Sequence, residues 1–343
     1  MLLYNHHYGF LDAVCRGYIS TLINSKQYSS LSELTSISDL RVHLSHQEYS
    51  LLKKESSSLS SSRFHSILRQ HFVEQFNFIK HNASGLLAEF LEYLTIPYQI
   101  NNLMTIIHAA IHNQNVDDIL IEKCHPLGIF HNLSCASAAS SAEELYRLLL
   151  CDTKLGQYFQ QCLSVDSLTD VHIELISNSM FKSYLEDFYK FAKTKLKSVG
   201  GHEISKLIEF ESDQRIINIV VHSFKTDLSH DERSQLFPKC TSLHPSIVKE
   251  LSRATSMGDV ESCLASTVYG SLLTNRSSNL TLEDLFYRYE MSLIKKASLL
   301  SSDFSVFYCY VRMKEQEVRN LLWVFQCILH QEFAEINRLV TIF

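Results

Sequence analysis

Val318-Arg319-Asn320-Leu321-Leu322-Trp323-Val324-Phe325-Gln326-Cys327-Ile328-Leu329-His330-Gln331-Glu332-Phe333-Ala334-Glu335-Ile336-Asn337-Arg338-Leu339-Val340 is the stretch that decides the fold class. From Val318, apolar residues return at Leu322, Phe325, Leu329, Phe333, Ile336 and Val340, in steps of four or three. That period draws one stripe down one face of a helix. The spacing predicts a single helix that begins as early as Asp303 and is on the order of 50 Å long. Helical spacing recurs almost everywhere upstream, and strand alternation is nearly absent, so the fold is expected to be all-α.

Composition agrees with long helices. Among 343 residues there are 9 glycines and 4 prolines, well below their usual shares of about 7% and 5%, and these are the residues that punctuate turns and end helices. With 45% hydrophobic and 20% charged residues, the chain has enough apolar material for a large core, and extensive disorder is excluded. The length predicts two domains or one elongated domain of repeats. A net charge of -6 gives no general attraction for nucleic acid. Nine cysteines without a CxxC pair read as reduced, mostly buried thiols of an intracellular protein. No N-terminal secretory signal is legible. The most apolar stretches, Leu103 to Ile111 and Leu321 to Leu329, are too short to span a bilayer.

Capping-box spacing marks helix starts at Ser141 with Glu144, Ser229 with Glu232 and Thr281 with Asp284. Breaks are expected at the serine-rich Lys53 to Ser62, at Pro126-Leu127-Gly128, at Gly200-Gly201, between Pro238 and Pro245, and from Asn275 to Asn279. Three segments share an aliphatic-x-Asn-aliphatic core centred on Asn102, Asn218 and Asn320, each with an aromatic-rich helix upstream: Phe90 to Tyr93, Tyr184 to Tyr189 and Phe304 to Tyr308. Their separation predicts one domain over residues 1–343 made of three related helical lobes of roughly a hundred residues each.

The usual chemistry motifs are missing. GxxxxGK[ST], GxGxxG and GxSxG do not occur, so neither a nucleotide cofactor nor a serine nucleophile is expected, and no cofactor is assigned. His108 and His112 have the spacing of a helical zinc site, but Ala109 stands where a general-base glutamate belongs. Cys124-His125 and the pair Cys151 and Cys162 lack the second close-spaced thiol pair of a zinc module. The chain is therefore expected to be no enzyme, with no catalytic and no metal residues. The carboxylates Glu209, Glu211, Asp213, Glu315 and Glu317 stand beside Arg215 and Arg319, either as surface ion pairs or as a charged docking face. Lys190, Lys193, Lys195 and Lys197 form a basic helix end, favoured there by the helix dipole.

Taken together, several motifs resemble a known family. Gly9-Phe10-Leu11-Asp12-Ala13-Val14-Cys15-Arg16-Gly17-Tyr18 is similar to the GYLEGIVRGY-type signature of the subunit d family of eukaryotic vacuolar-type proton ATPases. Cys124-His125-Pro126-Leu127-Gly128, Tyr184-Leu185-Glu186-Asp187-Phe188-Tyr189, Leu236-Phe237-Pro238-Lys239-Cys240, Lys314-Glu315-Gln316-Glu317-Val318-Arg319-Asn320 and Ile342-Phe343 follow in the family order. The sequence departs from the pattern at Ile129, where relatives carry tryptophan, in the serine-rich stretch, and from Ser262 to Asn279. The resemblance implies a funnel-shaped, all-helical rotor subunit of three pseudo-symmetric lobes, with relatives in the rotary ATPases of archaea. It implies, further, a non-catalytic coupling between the central-stalk subunits and the proteolipid c-ring, on the cytoplasmic face of vacuolar or endosomal membranes. Asp213, Arg215, Glu315, Glu317 and Arg319 are the candidate stalk-facing residues. A helical scaffold or adaptor with no part in proton pumping is the alternative.

Overall fold

The computed structural model describes residues 2–55, 59–131, 133–138, 144, 146–147, 153–160, 170–226, 228–274, 280–300 and 302–343. All regular structure among them is helical, with no strand, so the chain is all-α. The helices are α1 (Leu2–Ser20), α2 (Ser25–Ser32), α3 (Ile37–Ser45), α4 (Ser61–Asn82), α5 (Gly85–Ile111), α6 (Val116–Glu122), α7 (Lys154–Phe159), α8 (Asp170–Thr194), α9 (Gly201–His222), α10 (His230–Gln235), α11 (Pro245–Arg253), α12 (Met257–Leu264), α13 (Val268–Thr274), α14 (Leu282–Leu300) and α15 (Ser305–His330). No helix among the described residues is long and apolar enough to cross a membrane.

The chain forms two compact units. The first comprises residues 1–91, 198–204 and 276–343, the second 92–197 and 205–275.

In the first unit α15 is the central element, packed by α1, α3, α4 and α14. Leu321, Val324 and Phe325 are fully enclosed in a cluster with Leu31, Leu40, Leu52, Phe64 and Leu68. The Phe64 and Phe325 rings stack at 4.7 Å, a contact worth about 0.5–1.5 kcal/mol beyond the area it buries. A second aromatic group joins the unit's other end, where Phe304 meets Tyr8 edge-on at 4.8 Å and Phe90 at 5.6 Å. In the second unit α8 is lined by Tyr184, Leu185 and Phe188, and the Phe188 ring stacks on Tyr93 at 5.2 Å. Pro97 is accommodated inside α5.

Helix starts behave as their capping spacing predicts. Ser229 and Glu232 form a reciprocal capping box, and Thr281 and Asp284 exchange the same pair of bonds at 2.9 and 3.1 Å. Ser141 lies outside the described residues, as do 275–279 and Ser56 to Ser58 of the serine-rich stretch.

Two expectations are corrected. The C-terminal stripe is not one helix to Val340. After 26 residues α15 ends at His330, about 39 Å at 1.5 Å per residue. Gln331 takes the left-handed conformation with φ of 61°, and the amides of Gln331 and Glu332 return to the carbonyls of Ile328 and Cys327, which is the Schellman ending. The chain then makes a 3₁₀ turn over Phe333–Arg338 and doubles back. Ile336 and Val340 are buried by this reversal, whereas Leu329 and Phe333, on the same expected stripe, are exposed. The helical period survives in the sequence because both conformations offer apolar residues to one core.

The second correction concerns the context of the three asparagines. Phe90 and Asn102 lie on one continuous helix, α5, and Tyr308 and Asn320 likewise on α15, but Tyr184 and Asn218 lie on two helices, α8 and α9. Gly200 separates them with φ of +109°, a backbone region L-residues avoid, and a Cβ there would stand 2.6 Å from the Asp303 carboxylate.

Candidate functional site

The KEQEVRN segment occupies the middle of α15, and its side chains divide into an enclosed set and an outward set. Lys314 and Glu317, three residues apart, are both 1% exposed and pair at 2.6 Å. Glu317 Oε1 also accepts the Tyr49 hydroxyl at 2.6 Å, and Oε2 accepts the Ile23 amide at 2.7 Å. Lys314 Nζ donates to the Tyr49 hydroxyl at 3.1 Å and lies 4.9 Å from the centre of that ring. Each charge thus has several short partners, as a desolvated ion pair requires. Burial, and then the Glu317 charge, push the Tyr49 phenol far above its ordinary value. His71, whose ring lies 4.9 Å from Tyr49, is pushed down to about 4 by burial and by Lys314.

The outward set is Arg312, Glu315 and Arg319. Arg312 bonds Glu290 of α14 at 2.6 Å and Glu315 at 3.1 Å. The Arg319 guanidinium lies 4.0 Å from the centre of the Tyr287 ring and donates to Gln316 Oε1 at 3.0 and 3.1 Å. Gln316 in turn donates to Asn320 Oδ1 at 2.8 Å. A polar chain therefore runs along α15 from a half-buried cation to a buried amide.

In the second unit Asp213 is fully enclosed. It accepts the Thr241 and Ser242 hydroxyls, the Ser242 amide at 2.9 Å and the Tyr269 hydroxyl at 2.8 Å. Burial raises its pKa against the opposing pull of these hydrogen bonds. Arg215, two residues on, is half-buried, 3.8 Å from the centre of the Phe181 ring, and reaches Asn178 Oδ1 at 3.4 Å.

A common device appears when Asn102, Asn320 and Asp213 are compared. Asn102 donates to the His125 carbonyl at 2.8 Å and accepts the His125 amide at 2.7 Å. Asn320 does the same to Val340, at 2.7 and 3.3 Å. In both, a side-chain amide satisfies the two backbone groups of one residue on a returning segment, as a strand neighbour would. Beside α9 the returning segment offers donors alone at Thr241 and Ser242, and the residue that meets it is a carboxylate. Asn218, which the sequence aligns with the other two asparagines, is half-buried on α9, while Asp213 holds the returning chain.

Of the five residues read from the sequence as stalk-facing, Glu315, Arg319 and Arg215 are half-buried and reach the surface. Asp213 and Glu317 are inside, their oxygens occupied by intramolecular donors. Hydroxyl and amide partners 28 to 294 positions away cannot be read from local spacing, which is why the two look like their exposed neighbours in the sequence. Sequence reading missed Lys314, Tyr49 and Glu290. The KEQE order hides a buried i, i+3 pair behind the pattern of a surface one.

Among the described residues no three His, Cys, Asp or Glu side chains are grouped to hold a metal. His108 and His112 lie with ring centres 4.4 Å apart. Cys15, Cys124, Cys135, Cys240, Cys263, Cys309 and Cys327 are free thiols; Cys151 and Cys162 lie outside the described residues. What the arrangement offers is buried polar groups that lock segments together, with a few half-buried charges above them.

Fold and site therefore define an all-helical protein whose segments are held together by buried polar groups. A family model described as ATP synthase (C/AC39) subunit matches residues 11–339. V-type proton ATPase subunit d of Neurospora crassa is 32% identical over 362 residues, covering 100% of this chain and 99% of that protein. The Saccharomyces cerevisiae protein of the same name is 33% identical over 345 residues, covering 99% of each. V-type proton ATPase subunit d1 of Arabidopsis thaliana is 32% identical over 340 residues, covering 98% of this chain and 96% of that one. The chain belongs to the ATP synthase (C/AC39) subunit family, in the group that includes V-type proton ATPase subunit d.

Proposed function

We propose that this chain is a non-catalytic rotor subunit of a vacuolar-type proton ATPase. In this reading it lies on the cytoplasmic face of a vacuolar or endosomal membrane, receives the central stalk and passes torque from ATP hydrolysed elsewhere to the proteolipid c-ring. The observation that carries the reading is the end-to-end match to proteins named V-type proton ATPase subunit d. The physical character of the chain supports it. A coupling has to transmit strain without yielding, and long close-packed helices are suited to that. The clamps at Asn102, Asp213 and Asn320 fasten a returning segment to each of three long helices.

The stalk-facing charges are, in this reading, Glu315 and Arg319 in the first unit and Arg215 in the second. Asp213 and Glu317 serve as positioning groups that fix the helices bearing those charges. The test is to tag the chain in its native cells, extract membranes in mild detergent and identify by mass spectrometry what accompanies it. Recovery with proteolipid, stalk and large membrane subunits is expected. A chain recovered without proteolipid would overturn the reading in favour of a helical adaptor. Reversing Arg215, Glu315 and Arg319 together is expected to release the stalk subunits while helix content by circular dichroism stays unchanged; intact assembly and pumping would sink the assignment of those charges.

A further inference from the structure

The C-terminal end of α8 carries a concentration of positive charge that the fold neutralises only in part. From Phe188 to Lys197 there are four lysines, Lys190, Lys193, Lys195 and Lys197, and no carboxylate, in a chain whose net charge is -6. All four are exposed, as is Lys206 on α9. The register of α8 against α9 brings them together. Tyr189 donates to Glu209 at 2.8 Å, and Lys193 lies 3.9 Å from the same carboxylate. Lys206, one turn before Glu209 on α9, therefore stands on the same side as Lys193. Glu209 meets Lys193, but among the described residues no carboxylate lies within ion-pair distance of Lys190, Lys195 or Lys197.

The helix dipole favours cations around the end of α8 at Thr194, but it does not supply a carboxylate partner for Lys190, Lys195 or Lys197. Like charges three or four apart oppose the helix that carries them. Lys190, Lys195 and Lys197, which no carboxylate among the described residues neutralises, are suited to an external anion. The apolar residues between the lysines decide which kind. Phe188, Phe191, Ala192 and Leu196 are all buried, so the patch presents charge without the exposed apolar side chains that sink a basic helix into a lipid interface.

We infer that Lys190, Lys195 and Lys197, with Lys193 and Lys206 beside them, form a docking patch for an acidic protein surface, a run of Asp and Glu on a neighbouring subunit. The inference deepens the proposed function, since it assigns a second charged contact to the same assembly, and it does not use the stalk-facing residues.

The test is zero-length carbodiimide cross-linking of the complex purified through the tagged full chain, followed by peptide mass spectrometry. Cross-links from Lys190, Lys195 or Lys197 to Asp or Glu of another protein are expected. The triple variant K190E/K195E/K197E is expected to lower retention of that protein about tenfold at moderate salt, and the K190R/K195R/K197R variant to retain it. Intrachain cross-links alone would overturn the inference. So would binding of the purified chain to phosphatidylserine vesicles that the triple reversal abolishes, which would make the patch a membrane contact. A cross-linked acidic partner that belongs to no ATPase would leave the patch standing and overturn the proposed function, so the two failures are distinguishable.

Discussion

At the residue scale the most consequential group is the Lys314 and Glu317 pair. Removing one charge of a buried pair leaves the other desolvated and unpaired, at a cost of about 3–5 kcal/mol. Glu317→Ala is therefore expected to shift the denaturant midpoint strongly. Replacing both, as in K314M/E317L, removes the unpaired charge and is expected to recover most of the loss; equal destabilisation by single and double variants would show that the pair is not what the site depends on. His71 faces the same network, with Glu48 at 3.6 Å, the Tyr49 ring, Lys314 and Glu317 around it. Its pKa falls from 6.5 to about 4 on folding, so between those values the unfolded chain holds a proton that the folded chain does not. The contribution is fully present above about pH 6.5 and is lost as pH falls towards 4, by on the order of 3 kcal/mol. Thermal melts of wild type and His71→Gln across that window are expected to show a shallower slope for the variant; parallel slopes would contradict the burial of a neutral histidine.

The clamps act at the scale of elements. Asn320→Asp keeps an acceptor for the Val340 amide but loses the donor to its carbonyl, so it is expected to cost about 1–3 kcal/mol and to speed hydrogen exchange at residues 339–343 before the rest of α15. Asp213→Asn keeps one oxygen for the Thr241 hydroxyl and the Ser242 amide but turns an NH2 group towards the Ser242 and Tyr269 hydroxyls, which must then accept instead of donate, with faster exchange expected around Ser242. Unchanged exchange in both would mean that the segments are held by packing alone. Gly128 belongs to the same device: a Cβ there would stand 2.3 Å from the Tyr98 carbonyl oxygen and 2.7 Å from Asn102 Nδ2. Gly128→Ala is expected to destabilise by about 1–3 kcal/mol and to loosen the His125 clamp, read by the same exchange experiment.

These elements also show what a sequence can and cannot carry. Helical class, most breaks and two capping boxes are legible, because period, Gly, Pro and cap residues act within a few positions. The end of α15 is not, because Gln331 adopts a left-handed conformation that gives no glycine signal. The buried role of Glu317 is not either, because its partners Ile23 and Tyr49 lie far back along the chain. Asn102 and Asn320 stand out through a repeat whose physical meaning, a backbone clamp, shows only once the returning segments are in place. Asp213 reads as a surface charge in the sequence and proves to be the clamp of α9.

For the whole molecule the central claim is mechanical. In the function proposed above, a chain matched end to end by proteins named V-type proton ATPase subunit d, with helices fastened by buried polar pairs, is turned by the stalk and turns the ring. The most direct measurement is single-molecule rotation: complexes containing this chain are fixed to glass by their catalytic sector, a gold nanorod is attached to the chain, and its orientation is followed as ATP is added. The account predicts that the rod rotates in one direction with ATP and stops when ATP is withdrawn. A rod that stays still while the same complexes hydrolyse ATP and pump protons would place the chain among the stationary subunits and contradict it.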